Sequence, residues 1–245
     1  MFDMDFDLYR NDGSILFASR TKLQSTDKET TTDVASGFDY ARSFKQVNST
    51  HVAVSESNKG RITIVNREDN SSRVWVGMCD RHWMAFYNDR SFYPDSIEMD
   101  KINPGHLVFT ELLHHSLRSV DLTSGTVSTV IRTGFNFPRG LTWYKKRLLV
   151  CNDYYISEVS WSTSGAVTNK KLTTSTAHGY RDGDFSIAQF GSSHKIKQIR
   201  DGLFLLAGTD NSKLRLLNMS AKKVLPVCIG SSASCTTGTT LSPSA

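Results

Sequence analysis

The stretch GYRDGDFSIAQF, Gly179 to Phe190, gathers residues that could do chemistry. Asp182 and Asp184 are hard oxygen donors, and Asp201 lies further along the chain. Together with backbone carbonyls they could hold a calcium ion, although the regular ligand spacing of an EF-hand loop is missing. The same residues also suit architecture. Gly179 and Gly183 permit backbone turns closed to other residues, and Asp182 can cap a turn. Phe185 and Phe190 would then be apolar wedges.

Other reactive residues are scattered. His114 and His115 are adjacent, and on a strand adjacent side chains point to opposite faces, so one ion would rarely see both. A polar turn is the alternative. Lys145, Lys146 and Arg147 form the densest basic group, read either as a polyanion patch or as a solvated hairpin turn. Of the four cysteines, Cys228 and Cys235 enclose CIGSSASC, which could close as a small disulfide loop. Cys151 sits in the apolar run RLLVCND and reads as a buried thiol. Asn48, Asn70 and Asn218 each begin an Asn-x-Ser/Thr triplet, which is a glycan acceptor only in a secreted chain. The chain contains no G-x-S-x-G, no H-E-x-x-H and no P-loop sequence.

These residues need a scaffold, and the totals bound it. The 245 residues carry a formal net charge of +5, which is mild for this length. There is no run of eighteen apolar residues of the kind a membrane-spanning helix needs. The opening MFDMDFDLYRNDGS is acidic and lacks the basic-then-apolar order of a signal peptide. Helical periodicity is nearly absent. Short runs rich in Val, Ile, Leu, Phe, Tyr and Trp alternate with turns carrying Gly, Asn, Asp and Ser, which predicts an all-β chain.

The runs recur in one order. Ser43 to Gly77 holds four strand-like runs separated by three turns. Pro94 to Gly134, Pro138 to about Thr173, and His194 to Gly230 repeat the pattern. The N-terminal MDFDLYRNDGSILFAS matches only the last two strands of a copy. A four-strand repeat of about forty to fifty residues predicts a β-propeller, because radial stacking buries both faces of each sheet. Four to five blades are readable. In this frame GYRDGDFSIAQF becomes the connector between two blades.

That connector, with LFLLAGTDNSKLRLLN and VLPVCIG after it, resembles an NHL repeat. Ala207-Gly208-Thr209-Asp210-Asn211 and Leu214-Arg215 stand at the family's motif positions, whereas Gly191-Ser192-Ser193 replaces its usual proline and Asn218 its acidic strand end. The resemblance covers about Phe6 to Gly230. It implies an NHL-like propeller over 1–230 with an incomplete first blade, followed at 231–245 by a Ser/Thr-rich linker or the start of another module. NHL-type propellers usually have six blades, so the chain is expected to be a segment of a longer protein. Some similar propellers are enzymes, with a central zinc held by histidines or a central glutamate, and neither set maps onto this chain.

Three functions follow as expectations. The leading one is a non-enzymatic binding or structural module of a large secreted, matrix or cell-surface protein. Its faces would contact protein or glycan partners, including other subunits of an assembly, with Trp83, Phe86, Tyr87, Tyr154 and Tyr155 as contact candidates. The triplets, the Cys228/Cys235 pair and the Ser/Thr tail motivate it. The second is an intracellular RNA-binding NHL propeller, which the positive charge favours but the dispersion of basic residues does not. The third is a propeller lyase or hydrolase. No resident cofactor is expected beyond calcium.

Overall fold

A computed structural model describes residues 5–8, 15–27, 29–77, 93–175, 177–208, 213–228 and 239–240, with backbone alone at 5–8, 193–194, 228 and 239–240. Among these residues there is no helix, and five antiparallel sheets follow one another along the chain. The first contains β1 (Asp5–Leu8), β2 (Ile15–Ala18), β3 (Lys22–Thr26) and β4 (Thr31–Ser36). The second contains β5 (Ala41–Gln46), β6 (His51–Glu56), β7 (Arg61–Asn66) and β8 (Ser72–Gly77). The third contains β9 (Pro94–Met99), β10 (His106–Glu111), β11 (Ser116–Asp121) and β12 (Val127–Ile131). The fourth contains β13 (Leu141–Tyr144), β14 (Arg147–Cys151), β15 (Ile156–Trp161) and β16 (Val167–Lys171). After the two-residue β17 (Gly183–Asp184) comes the fifth: β18 (Ser193–Arg200), β19 (Leu203–Gly208), β20 (Lys213–Asn218) and β21 (Lys223–Cys228). The short β22 (Thr239–Thr240) ends the series. The architecture is a β-propeller of five four-stranded blades, and in each blade sequential strands are neighbours.

The first blade corrects the sequence reading, which found only two strands there. β1 and β2 form the hairpin that DLYRNDGSI announced, and β3 and β4 complete the sheet. Those two were hard to see because KLQST and TTDVAS are polar. β4 buries only Val34 and Ala35.

Burial explains the pattern of the other runs. Val52, Ala53 and Val54 on β6 are all fully buried, so both faces of this middle strand are covered and the run is continuously apolar. The last strands differ: β12 and β16 keep exposed, polar residues on the open side.

The chain forms two compact units, residues 1–130 and 131–245. In the first, Leu16, Leu23 and Val34 meet Phe44, Val52 and Val65 across blades one and two. Ala53, Ile62 and Ile64 meet Ile97, Leu107 and Phe109 across blades two and three. In the second unit, Leu149, Cys151 and Ile156 meet Ile196, Phe204, Leu206 and Leu217. Each fully buried Leu, Ile or Phe contributes about 1.5–3 kcal/mol. The cores are therefore the seams between successive sheets. Within blade two, a Cβ on Gly77 would lie 2.3 Å from the Gly60 carbonyl oxygen, and its φ is +114, so the end of β8 requires glycine.

β21 has its outer edge occupied at both ends. β17 pairs antiparallel with Val224 and Lys223, and β22 pairs parallel with Val227 and Cys228. Thr239 and Thr240 fall in the segment expected as a linker, and the rest of 231–245 lies outside the described residues.

Candidate functional site

The connector that carries GYRDGDFSIAQF is organised by Arg215 of β20, only 4% exposed. Its Nε donates to Asp182 Oδ1 at 2.7 Å, Nη1 donates to the Gln189 carbonyl at 2.7 Å, and Nη2 donates to the Arg181 carbonyl. The guanidinium also lies 4.7 Å from the Phe190 ring centroid and 4.9 Å from that of Tyr180. One side chain thus folds the whole connector onto blade five. Gly179 donates its N–H to the Phe190 carbonyl at 3.0 Å. Gly183 has φ +128, and a Cβ there would lie 2.9 Å from Ile187 Cδ1. Phe185 and Phe190 are buried in the core shared by blades four and five.

Asp182 is therefore the ion-pair partner of Arg215. The Tyr180 hydroxyl donates to its other oxygen at 3.2 Å, and burial followed by the Asp182 charge raises the Tyr180 pKa. A cation at Asp182 would face the Arg215 guanidinium. Asp184 is exposed and sits 3.7 Å from Lys223 Nζ. Among the described residues no group of three or more His, Cys, Asp or Glu converges as a metal site.

Beside this connector, within the second unit, lies a cleft of about 820 Å³. Tyr144 and Arg147 from the β13–β14 hairpin, Glu158 of β15, and Lys170 and Lys171 of β16 form one wall. Asp184, Phe185 and Ser186 of the connector and Met219, Ala221 and Lys222 of the β20–β21 turn form the other, with Leu172 and Thr174 between them. Tyr144, Leu172 and Met219 pack on the core beneath and give the cleft apolar surface. Arg147 Nη1 lies 2.8 Å from Glu158 Oε2. Lys171 Nζ sits 4.4 Å from the Tyr155 ring centroid. Lys170, Lys171 and Lys222 are exposed at the rim. The basic triplet read from the sequence is the β13–β14 hairpin itself, with Lys145 at φ 56.

A second set of polar residues recurs at the end of the second strand in blades two, three and four. Glu56, on β6, accepts the Asp39 N–H at 2.9 Å, Arg61 Nε at 2.7 Å and Nη2 at 3.0 Å, and the Thr63 hydroxyl. Glu111, on β10, accepts the Tyr93 N–H at 3.0 Å and is bonded to His114 Nδ1. Asn152, after β14, accepts the Asn136 N–H at 2.9 Å. In each case the donor belongs to the connector entering that same blade. Both glutamates and Asn152 are fully buried. Burial raises the Glu111 pKa, opposed by His114, by the Tyr93 N–H and by Arg118. A carboxylate on Nδ1 can orient an imidazole for proton transfer, but here it also anchors the blade's entry.

The remaining sequence candidates are placed as follows. Asn48 and Asn70 are exposed in turns, and Asn218 is half-buried at the end of β20. The Asn48 side-chain Oδ1 accepts the N–H groups of Thr50 and His51, and the Asn218 Oδ1 accepts the Ala221 N–H. Tyr155, offered as a contact residue, is instead 5% exposed and donates its hydroxyl to the Gly134 carbonyl at 2.9 Å. Tyr154 meets His178 edge to face at 5.4 Å. Cys151 is a buried thiol, as read from its apolar run. Trp83, Phe86, Tyr87, Cys79 and Cys235, together with the Cys228 side chain, lie outside the described residues, so the Cys228/Cys235 pairing does too. Sequence reasoning missed Glu56, Glu111, Asn152 and the role of Arg215. The one signal was that Arg215 stands at a motif position.

No family model matches the chain, and no curated protein matches it. Solved structures do. An auxiliary nutrient binding protein from Bacteroides ovatus is 13% identical with a TM-score of 0.71, over 92% of this chain and 57% of that one. A catalytically inactive virginiamycin B lyase from Staphylococcus aureus, with quinupristin, is 17% identical with a TM-score of 0.59, over 89% and 67%. A nidogen/laminin complex structure is 9% identical with a TM-score of 0.64, over 87% and 74%. The chain spans a little over half the length of the nutrient-binding protein. At these identities the likeness is one of fold.

Proposed function

We propose that the chain is a non-enzymatic binding module, an NHL-like propeller within a larger secreted or cell-surface protein. The cleft between blades four and five is its contact site for a glycan or protein partner. The observation that carries this reading is the cleft itself: about 820 Å³, with half-buried apolar side chains beneath exposed lysines. Such a combination suits a ligand with both apolar and charged surface. The same fold serves a nutrient-binding protein, a lyase and a protein complex, so the site must decide. The engaged carboxylates support binding over catalysis, since buried Glu56 and Glu111 hold connector backbone and half-buried Asp182 holds the buried Arg215 cation. The exposed Asn48 and Asn70 triplets support a secreted setting.

The test is a panel of neutral and acidic oligosaccharides and peptides, measured by biolayer interferometry against the intact chain and against Ala221→Trp. Ala221 is exposed in the turn lining the cleft, so tryptophan there fills it with little strain on the core. A binder weakened about tenfold or more by the plug is the expected result. Binders indifferent to the plug, or a panel with none, would sink the assignment.

A further inference from the structure

We infer that the cleft takes an acidic oligosaccharide, one whose sugar rings carry carboxylates, with Lys170 and Lys222 as the residues that meet its charge. This rests on the reading of the cleft as the binding site. Four cations line it against two carboxylates: Arg147, Lys170, Lys171 and Lys222 against Glu158 and Asp184. Two of the cations are already engaged, Arg147 by Glu158 and Lys171 by the Tyr155 ring. Lys170 and Lys222 are exposed and come from the two blades that form the walls. An anionic group of a bound ligand would therefore be met from either side.

The rest of the lining selects among anions. A nucleic acid places a phosphate at every residue, and the Asp184 and Glu158 carboxylates interrupt the cationic track it would need. Bases also bind by stacking on open aromatic faces. Of the two aromatics in the walls, Phe185 is buried, and the Tyr144 ring already carries Arg147 at 5.1 Å and Lys145 at 5.3 Å. A sugar chain in which uronic acids alternate with neutral rings has sparser charge and many hydroxyl groups. Exposed Asp184, Ser186 and Thr174 offer acceptors and donors for those hydroxyls, and Leu172 and Met219 offer apolar surface for the C–H faces of the rings. An acidic peptide would meet the same lysines but would leave the hydroxyl partners unused.

The experiment is fluorescence polarisation with a labelled hexasaccharide in which uronic acids alternate with neutral rings. Its methyl ester, a single-stranded oligonucleotide and a polyglutamate peptide are the competitors. The proteins are the intact chain, Lys170→Glu/Lys222→Glu, Ala221→Trp, and Lys101→Glu as a control on an exposed turn of the other unit. The expected result is that the hexasaccharide binds and the ester does not compete. The double reversal should weaken binding about tenfold or more while Lys101→Glu leaves it unchanged, and added salt should weaken it too. Equal competition by the ester, with binding still lost in Ala221→Trp, overturns the acidic chemistry but keeps the cleft as the site. Tighter competition by the oligonucleotide or the peptide overturns the sugar in favour of that class. Binding unaffected by both cleft variants, or no binding of the hexasaccharide, overturns the inference; the first of these also removes the cleft as a site.

Discussion

Glu56 and Glu111 hold the same position in consecutive blades and are neutralised differently. Each ends its blade's second strand, and each accepts an N–H from the connector entering that blade. Across the hairpin from Glu56 stands Arg61, which gives two hydrogen bonds from a permanent cation. Across from Glu111 stands Ser116, so the counter-group comes from the turn instead, as His114. In blade four Asn152 does the same work without charge, its amide donating to Ser157 at 3.0 Å. The backbone requirement is constant: Ser57, Leu112 and Asp153 donate their N–H groups to the Tyr40, Tyr93 and Asn136 carbonyls. What varies is how the buried acceptor is made tolerable. In blades two to four this place is filled by a buried acceptor, and its charge differs from blade to blade.

Removing the counter-group is the sharpest way to test this. Arg61→Ala strands a fully buried carboxylate with only a hydroxyl and an N–H, and should cost about 3–5 kcal/mol. Guanidinium unfolding near neutral pH measures it. A loss under about 1 kcal/mol would mean that Glu56 is not held by the arginine. Next in size is Asn152→Ala, which leaves the Asn136 N–H and Ser157 without their amide partner in a buried site and should cost about 2 kcal/mol. His114→Ala should cost about 1 kcal/mol. Glu111 can take a proton in place of the imidazole, while the Tyr93 N–H still reaches it. If His114→Ala proved as damaging as Arg61→Ala, the two blades would not differ in the way their counter-groups indicate.

The repeat was legible because apolar runs and glycine turns are local signals. HVAVSE, HLVFTE and RLLVC are buried on both faces and read as strands on sight. KLQST and TTDVAS were not: TTDVAS is an outer strand that buries only Val34 and Ala35, and KLQST alternates in burial but fills one of its two buried positions with the polar Ser25. The strand-end acceptors were hidden for another reason. Glu, Glu and Asn share a role but no residue type, so no motif could gather them. Arg215 reaches back thirty-three positions to Asp182, and the cleft joins Tyr144 to Lys222; spacing alone does not bring such residues together. The connector's phenylalanines were legible as wedges because turn glycines bracket them. The arginine that orders the connector came from the strand packed against it.

The smallest expected effect separates the two glutamates by pH. Burial raises the Glu111 pKa above its ordinary 4.5, so the folded chain holds that proton more tightly than the unfolded one. The stability this supplies is complete below the ordinary value and is lost as pH rises through the folded one. Over that window Glu111 contributes a downward slope of stability with pH, bounded by about 1.4 kcal/mol per pH unit for one proton. Glu111→Gln keeps an acceptor for the Tyr93 N–H and has no proton to lose. Subtracting its unfolding free energy from that of the unaltered chain, from pH 4 upward, should therefore give a difference that falls as pH rises and then levels off. A flat difference across the whole range would show that burial does not govern Glu111, and that the His114 contact offsets it.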